Sequence, residues 1–457
     1  MPATSGRVTQ VQLCDLIDSA EIDTVINAIC DMQGRLVGKR IAGWYLRDHA
    51  QNHGTHFCTY LLGNDIEMNT PDGFPLMSWE TGYGDYLAVP DWSTARILPW
   101  LERTALVLAD AVDEISGDLV PIAPRSILRH QLSRCVEAGL HPRMASELEY
   151  YVLEDDFASA KSKGYRDLQS SGWYSEDYHI FQGTKLESVH GSVRRLMNQA
   201  GVPIEGSKGE DGAGQHEVNV QYADALEAAD RTVLLKHGAK EIAWQEGHAI
   251  TFMAKPHHDW TGSSGHVHVS LWDQPGTTNL FNGGESTMTD TMRWFLGGLL
   301  AHTRELALLF APNVNSYKRF ASASWAPVNI LWAKDNRTVG YRIVGSDSSL
   351  RIECRFPGGD ANPYLTYAFL LAAGQDGITH QTEPPPEFEG NGYSATGCSR
   401  VPSSLHEAIE EWQASRFARN AFGETVWVHY LNAAIVEQTA FDRAVTDWEL
   451  QRYFERG

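Results

Sequence analysis

Four short segments of this chain alternate polar and apolar side chains with a period of two, and their polar members are residues that bind ions. Glu147-Leu148-Glu149 puts two carboxylates on one side of an extended strand and Leu148 on the other. Gln215-His216-Glu217-Val218-Asn219-Val220 aligns Gln215, Glu217 and Asn219; His266-Val267-His268-Val269-Ser270-Leu271 aligns His266, His268 and Ser270; Arg351-Ile352-Glu353-Cys354-Arg355 aligns Arg351, Glu353 and Arg355. Any one of these faces, taken singly, reads as solvated. Together they carry Glu, His and Arg but no Lys, the usual solvated charge, and read as the wall of a site. Glu147, Glu149, Glu217 and Glu353 with His266 offer hard oxygen donors and one imidazole, a set suited to Mg²⁺ or Mn²⁺ and poorly suited to structural zinc. Such a set has donors enough for two divalent ions. Arg319, Arg337, Arg342, Arg351 and Arg355 crowd into one stretch, and arginine grips carboxylate and phosphate through a planar fork. Metal-bridged phosphate oxygens and an acidic substrate are the chemistry these side chains accommodate.

Rival chemistries lack their motifs. There is no G-x-S-x-G, no G-x-x-x-x-G-K-[ST] and no glycine-rich dinucleotide fingerprint after a strand. The glycine-rich residues 206–214 lie between strand-like segments, where no helix N-terminus can cradle a phosphate. The six cysteines stand singly, with no C-x-x-C pair, and the first ten residues lack the apolar core of a secretory signal; a reducing cytoplasm is expected. Cys354, between Ile352 and Phe356, reads as a small core residue.

The elements that must hold these segments follow from periodicity. Residues 10–20 have helical spacing, and 22–30 and 36–44 read as strands joined across Met32-Gln33-Gly34. Gly- and Pro-punctuated loops then run to Pro99, giving an expected boundary near residue 105 between a small N-terminal unit (1–105) and a larger one (106–457). In the larger unit, 125–138 is predicted helical with Leu128, Leu132 and Val136 on its docked face, and 186–200 and 223–247 are predicted helical too. Ser404-x-x-Glu407 has the form of a capping box opening a helical tail after the 384–392 loop. The class is α+β. Of 457 residues, 58 are Asp or Glu and 37 Lys or Arg, a net charge of −21, which excludes nucleic acid as a partner. No apolar stretch approaches the ~18 residues of a membrane span, so a soluble protein acting on small molecules is expected.

These segments, in this order, resemble the glutamine synthetase family in its bacterial type I form, along essentially the whole chain. The markers are Glu147-Leu148-Glu149; Glu205 through Glu210 to Gly214-Gln215-His216-Glu217; Gly262-Ser263-Ser264-Gly265-His266-Val267-His268-Val269-Ser270; Asn315-Ser316-Tyr317-Lys318-Arg319; Asn336-Arg337 with Arg342; Arg351-Ile352-Glu353-Cys354-Arg355; and Asn362-Pro363-Tyr364-Leu365. The resemblance implies a small β-grasp-like N-terminal domain, a catalytic domain whose curved antiparallel sheet forms half a funnel, and a double hexameric ring in which neighbours complete each site. It implies one metal on Glu149, Glu210 and Glu217 and a second on Glu147, His266 and Glu353. ATP would meet Glu205, His268, Ser270, Arg342 and Arg351; glutamate would meet Gly262, Arg319 and Arg355, with Arg337 near both. The implied reaction phosphorylates the γ-carboxylate of glutamate from ATP, and a nitrogen nucleophile then displaces phosphate.

The departures gather at the nitrogen end. Six residues after Arg319, where glutamine synthetases proper carry a glutamate that takes a proton from ammonium, this chain has Trp325. The family's Asp-Gly-Ser-Ser loop is not recognisable in Leu61-Leu62-Gly63-Asn64-Asp65-Ile66-Glu67; Lys208-Gly209 replaces a His pair, and Thr261 stands where an Asn is expected. An indole cannot accept the ammonium proton but can pack a carbon chain or face a cation. The expected acceptor is therefore an organic amine, and the sequence looks closest to the γ-glutamyl-ethanolamide and γ-glutamyl-polyamine synthetase branches, with ethanolamine, a short alkylamine or an aromatic amine favoured. An ammonia-using glutamine synthetase, a γ-glutamylpolyamine synthetase, a non-catalytic relative and a metal-dependent hydrolase using the same Glu and His face are the alternatives. Tyr393, in Gly390-Asn391-Gly392-Tyr393, does not match the adenylylation loop of regulated members and reads as structural.

Overall fold

The structure, a computed structural model, describes residues 6–284 and 287–457. Its first unit packs the helix Gln10–Asp18, capped by Thr9, against a six-stranded sheet whose main path runs Leu36–Ala42, Thr24–Cys30, Thr104–Val112, Asp85–Pro90, Thr55–Cys58. The hairpin expected across Met32-Gln33-Gly34 is present, with Gly34 at φ +79 where a side chain would be strained. Thr104–Val112 is the middle strand of this sheet, so pairing continues past the boundary expected near residue 105. The loops that gave that expectation are connections within the first sheet.

The second sheet has nine strands along the path Trp332–Lys334, Tyr341–Val344, Arg351–Cys354, Gly265–Trp272, His141–Leu153, Gln215–Val220, Ile204–Gly209, with two short strands also pairing to His141–Leu153. It is curved and antiparallel except at one edge, where Trp332–Lys334 runs parallel to Tyr341–Val344. The apolar alternates of its strands build the core: Val267, Val269, Ile352, Cys354 and Tyr341 in one cluster, Leu148, Tyr150, Val218 and Val220 in another. Against the first cluster lies Pro363–His380, a helix buried on nearly every side, with Pro124–Glu137 and Asp290–His302 beside it. Against the second lie Glu187–Gln199 and Ala225–Gln245.

Two sequence expectations need adjustment. Pro124–Glu137 docks through Ile127, Leu128, Gln131 and Cys135, while Val136 is exposed. The Ser404 hydroxyl caps its helix by accepting from the Glu407 N–H, but the Glu407 carboxylate accepts from the Ser403 N–H instead of closing the box on Ser404.

The two units are joined by polar groups as well as by area. Asn362 accepts from the Tyr364 N–H to cap Pro363–His380, and its Nδ2 donates to the carbonyls of Asp31 and Met32 at 3.0 and 3.1 Å, which seats the first hairpin's turn on the larger unit. Buried Arg125 bonds Asp230 at 3.0 and 2.9 Å, Asp91 at 2.8 Å and Asp110 at 2.5 Å, tying the first sheet to Ala225–Gln245.

Candidate active site

Strand register assembles the polar faces into one band. Glu147 pairs with His266, Glu149 with Glu217, His268 with Glu353, and Glu353 with Arg342; on the far side Lys208 pairs with Glu217. All are consequences of antiparallel pairing between strands that each bury the alternate apolar face.

Within the band the ligand atoms of Glu147, His266 and Glu353 lie within 4.8 Å of one another, and so do those of Glu149, Glu217 and His266. The first group is the set expected for one metal. The second holds two of the three residues expected for the other. Glu210 is drawn aside by an ion pair with Lys208, although it stays near enough for its charge to act on Glu149 and Glu217. Alternation could not reveal Glu210, because it follows the strand Ile204–Gly209 and sits in the turn beyond it.

The electrostatics divide the carboxylates. Burial, then the nearby Glu210 charge, pushes Glu149 up to about 7. Burial, with the charges of Glu147 and Glu210, pushes Glu217 up to about 9. For Glu353 burial acts in the same direction, but Arg355 and His266 outweigh it and bring the group to about 2. Glu147 likewise falls well below the usual range, as hydrogen bonds from His266 and His268 overcome burial. His266 is lowered to about 4 by burial and by Arg355, so its imidazole is neutral and able to ligate. Crowded acids that retain protons beside a neutral imidazole whose Nε2 is buried without a partner are a donor set that fits a divalent cation.

Neighbours fix the donors. Glu149 accepts from the Ser264 N–H at 2.8 Å, from the Ser264 hydroxyl, and from Gln215 Nε2 at 2.9 Å; Gln215 also donates to the Gly262 carbonyl at 3.1 Å. Asn219 Nδ2 donates to Glu217 at 3.0 Å. His268 Nε2 is 3.0 Å from Glu147, while His266 Nδ1 is 3.6 Å from both Glu147 and Glu353.

The arginines fall into two groups. Arg342 reaches Glu353 at 3.1 Å and pairs with Asp335; Arg355 reaches Glu353 at 2.5 Å; Arg351 donates to His268 Nδ1 at 3.2 Å. Arg319 is buried, donating to the carbonyls of Phe356 and Arg355 at 2.8 and 3.1 Å, with Gly262 packed on its stem. Ser270 sits on the Gly265–Trp272 strand and accepts from Trp272 Nε1 at 3.0 Å. Glu205, at a bulge in the outermost strand, and Arg337, on the turn before Tyr341–Val344, are exposed and are not drawn into the band. Trp325 is 54% exposed, at φ +62, on the connection after Arg319. Cys354 is fully buried, its thiol pushed up to about 12 by burial, which suits a core residue and not a nucleophile.

Residues 121–453, which include the carboxylate band and its flanking arginines, match the family model of the glutamine synthetase catalytic domain. The chain belongs to the glutamine synthetase family. Among its relatives, the gamma-glutamylethanolamide synthetase of Streptomyces coelicolor is 46% identical over 445 residues, spanning 97% of this chain and 95% of that protein. The glutamate–isopropylamine ligase of a Pseudomonas species is 36% identical, spanning 96% of this chain and 97% of the other. A glutamine synthetase of Thermotoga maritima is 32% identical over 84% of this chain and 92% of its own. The ligand-free structure of GmaS superposes with a TM-score of 0.84 at 28% identity, covering 97% of this chain and 99% of that one. Glutamine synthetase-type enzymes are ligases that use ATP and divalent metals, and this chain carries acid and histidine groups that could hold such ions. No helix among the described residues is long and apolar enough to cross a membrane.

Proposed function

We propose that this chain is an ATP-dependent ligase that joins the γ-carboxylate of L-glutamate to an organic amine through γ-glutamyl phosphate, releasing ADP and phosphate. The observation that carries the reading is a site whose carboxylates, histidines and arginines are assembled while Trp325 occupies the position of the expected ammonium-handling glutamate. The similar ethanolamide synthetase and isopropylamine ligase support an organic amine as acceptor. A small monoamine is favoured over a polyamine, because only Asp65 and Glu67 stand out as local acids in the segment that replaces the family's Asp-Gly-Ser-Ser loop.

Glu147, His266 and Glu353 would hold one Mg²⁺ or Mn²⁺, and Glu149, Glu217 and Glu210 the other. Bound there, the cations would neutralise phosphate oxygens and stabilise charge on the transferring phosphoryl group. Arg351, His268, Ser270 and Glu205 serve the nucleotide, and Arg319, Arg355 and Gly262 the glutamate. Arg342, and Arg337 if substrate draws it in from its exposed turn, would supply fixed positive charge where the phosphoryl group moves and charge spreads over its equatorial oxygens. Attack then requires only an unprotonated amine, and Trp325 shapes the surface from which it arrives. ATP as substrate and the six unpaired cysteines accord with the cytoplasm, and the double hexameric ring follows from the family likeness.

Phosphate release with a panel of amines tests the reading. Turnover that depends on ATP, glutamate and an organic amine is expected; robust turnover with ammonia and none with larger amines would reject it.

A further inference from the structure

Tyr393 was expected to be structural, and its surroundings give it a second part. It lies in the short 3₁₀ turn Gly392–Ser394, where its N–H donates to the Asn391 side chain at 3.0 Å. That turn is bolted to both substrate-side segments. Asn329, four residues after Trp325, donates to the Gly392 carbonyl at 2.7 Å, and the Gly392 N–H donates at 2.7 Å to Thr338, next to Arg337. Asn336 adds a bond to the Gly390 carbonyl at 2.8 Å. A side chain at 392 would meet the Thr338 carbonyl at 2.4 Å, so the turn approaches as closely as glycine allows.

The bolted turn carries the Tyr393 phenol inward. Its Oη is buried and has no hydrogen-bond partner, a costly state for a hydroxyl in a folded interior. The groups that act on it are Arg355, Arg319 and the Trp325 backbone, which approaches without forming a well-aligned hydrogen bond. These are the residues assigned above to glutamate and to the incoming nitrogen. The nitrogen end thus offers one large apolar surface, the Trp325 indole, and one unspent hydrogen-bonding group, the Tyr393 hydroxyl.

We infer that Tyr393 is a specificity-determining residue whose hydroxyl selects an amine bearing a second hydrogen-bonding group, of the 2-amino-alcohol class, over an alkylamine of equal size. A pocket with only apolar walls cannot discriminate strongly between a hydroxyl and a methyl group, whereas a buried hydroxyl left unpaired by the wrong substrate discriminates by an order of magnitude or more.

This inference rests on the amine-ligase reading, and one experiment separates the two. Ethanolamine and propylamine are compared by kcat/KM, with saturating ATP and glutamate, in the native enzyme and in Tyr393→Phe. The native enzyme is expected to prefer ethanolamine by about tenfold or more, and Tyr393→Phe to bring the ratio close to one while KM for ATP is unchanged. A ratio that survives Tyr393→Phe, a fall that is equal for both amines, or a native preference for propylamine would overturn the selecting role and leave the ligase intact. Turnover with ammonia alone would overturn both. Tyr393→Phe removes only an unpartnered hydroxyl, and a melting temperature equal to that of the native enzyme is the check that it folds.

Discussion

Glu149 and Glu217 stand directly opposite each other across an antiparallel strand pair, both buried. Like charges at such a position repel, and sheets ordinarily place opposite charges or apolar pairs there. The register is nonetheless secure, because slipping either strand by one residue would turn Leu148 and Val218 out of the core. The crowding is therefore built into a rigid frame: without a cation it is relieved by retained protons, and on the proposed reading a divalent cation would relieve it instead.

Divalent cations should raise the melting temperature. At a concentration about a hundredfold above Kd, each bound ion adds roughly 2.7 kcal/mol. Glu217→Gln should be more stable than the native protein in EDTA, since a crowded acid is gone, and should gain less from Mn²⁺. Scanning fluorimetry in EDTA and in Mn²⁺ reads both signs; a native-sized Mn²⁺ gain in the variant would remove Glu217 from the ligand set.

Replacing Trp325 by Glu should move the kcat/KM ratio of ammonia to the native amine toward ammonia by about tenfold, equivalent to roughly 1.4 kcal/mol. The same phosphate-release assay measures it. An unchanged ratio would take Trp325 out of the account of acceptor choice.

A methyl group at Gly262 would lie 2.7 Å from Arg319 Cγ and 3.0 Å from the Ala254 carbonyl. Arg319 is held by two carbonyls and cannot swing freely, so Gly262→Ala should raise KM for glutamate by about an order of magnitude while KM for ATP stays the same. An equal rise in both would point to a general collapse of the site.

Arg125→Met should cost about 3–5 kcal/mol in urea unfolding, because it strands Asp230 as an unpaired buried charge and leaves Asp91 and Asp110 to Arg129 alone. A loss below 1 kcal/mol would show that the seam between the two units is held by apolar packing alone.

His302 lies 2.5 Å from Glu305 and 2.9 Å from Asp376 and stacks on Phe417. Burial opposes its protonation, but the hydrogen bonds and charges of the two acids win and raise its pKa above the usual value. A raised histidine stabilises fully below its unfolded pKa of about 6.5 and loses that contribution as pH climbs through the folded value. The drop in melting temperature between pH 6 and pH 9 should therefore be shallower in His302→Gln.

The residues proposed to carry phosphoryl chemistry were legible because strand alternation is a local signal. Glu147, Glu149, Glu217, His266 and Glu353 each announce themselves within three or four residues of sequence. Their register was not legible, since which strands pair depends on contacts between distant segments. Val136 was misplaced for a geometric reason: a row of residues spaced by four precesses around a helix, so after eight residues it has turned about 80° from its start. The grip of Ser264 and Gln215 on Glu149 is a tertiary fact with no local signature, and the pairings of Lys208 with Glu210 and Arg342 with Asp335, though near in sequence, depend on turns that alternation does not reveal. The extent of the first sheet was obscured because Thr104–Val112 pairs with a strand some eighty residues earlier.

The division of the site between strands and connections has a consequence for how such an enzyme diversifies. Acid and imidazole donors sit on strands welded to the core, while Trp325 and Tyr393 ride on a connection and a turn. On the proposed reading, substitutions at the second kind of position would explore new acceptors without disturbing the machinery that activates glutamate. A designer seeking a different amide product would leave the sheet alone and vary residues 321–327 together with Tyr393, keeping Gly392, whose close approach to the Thr338 carbonyl leaves no room for a side chain.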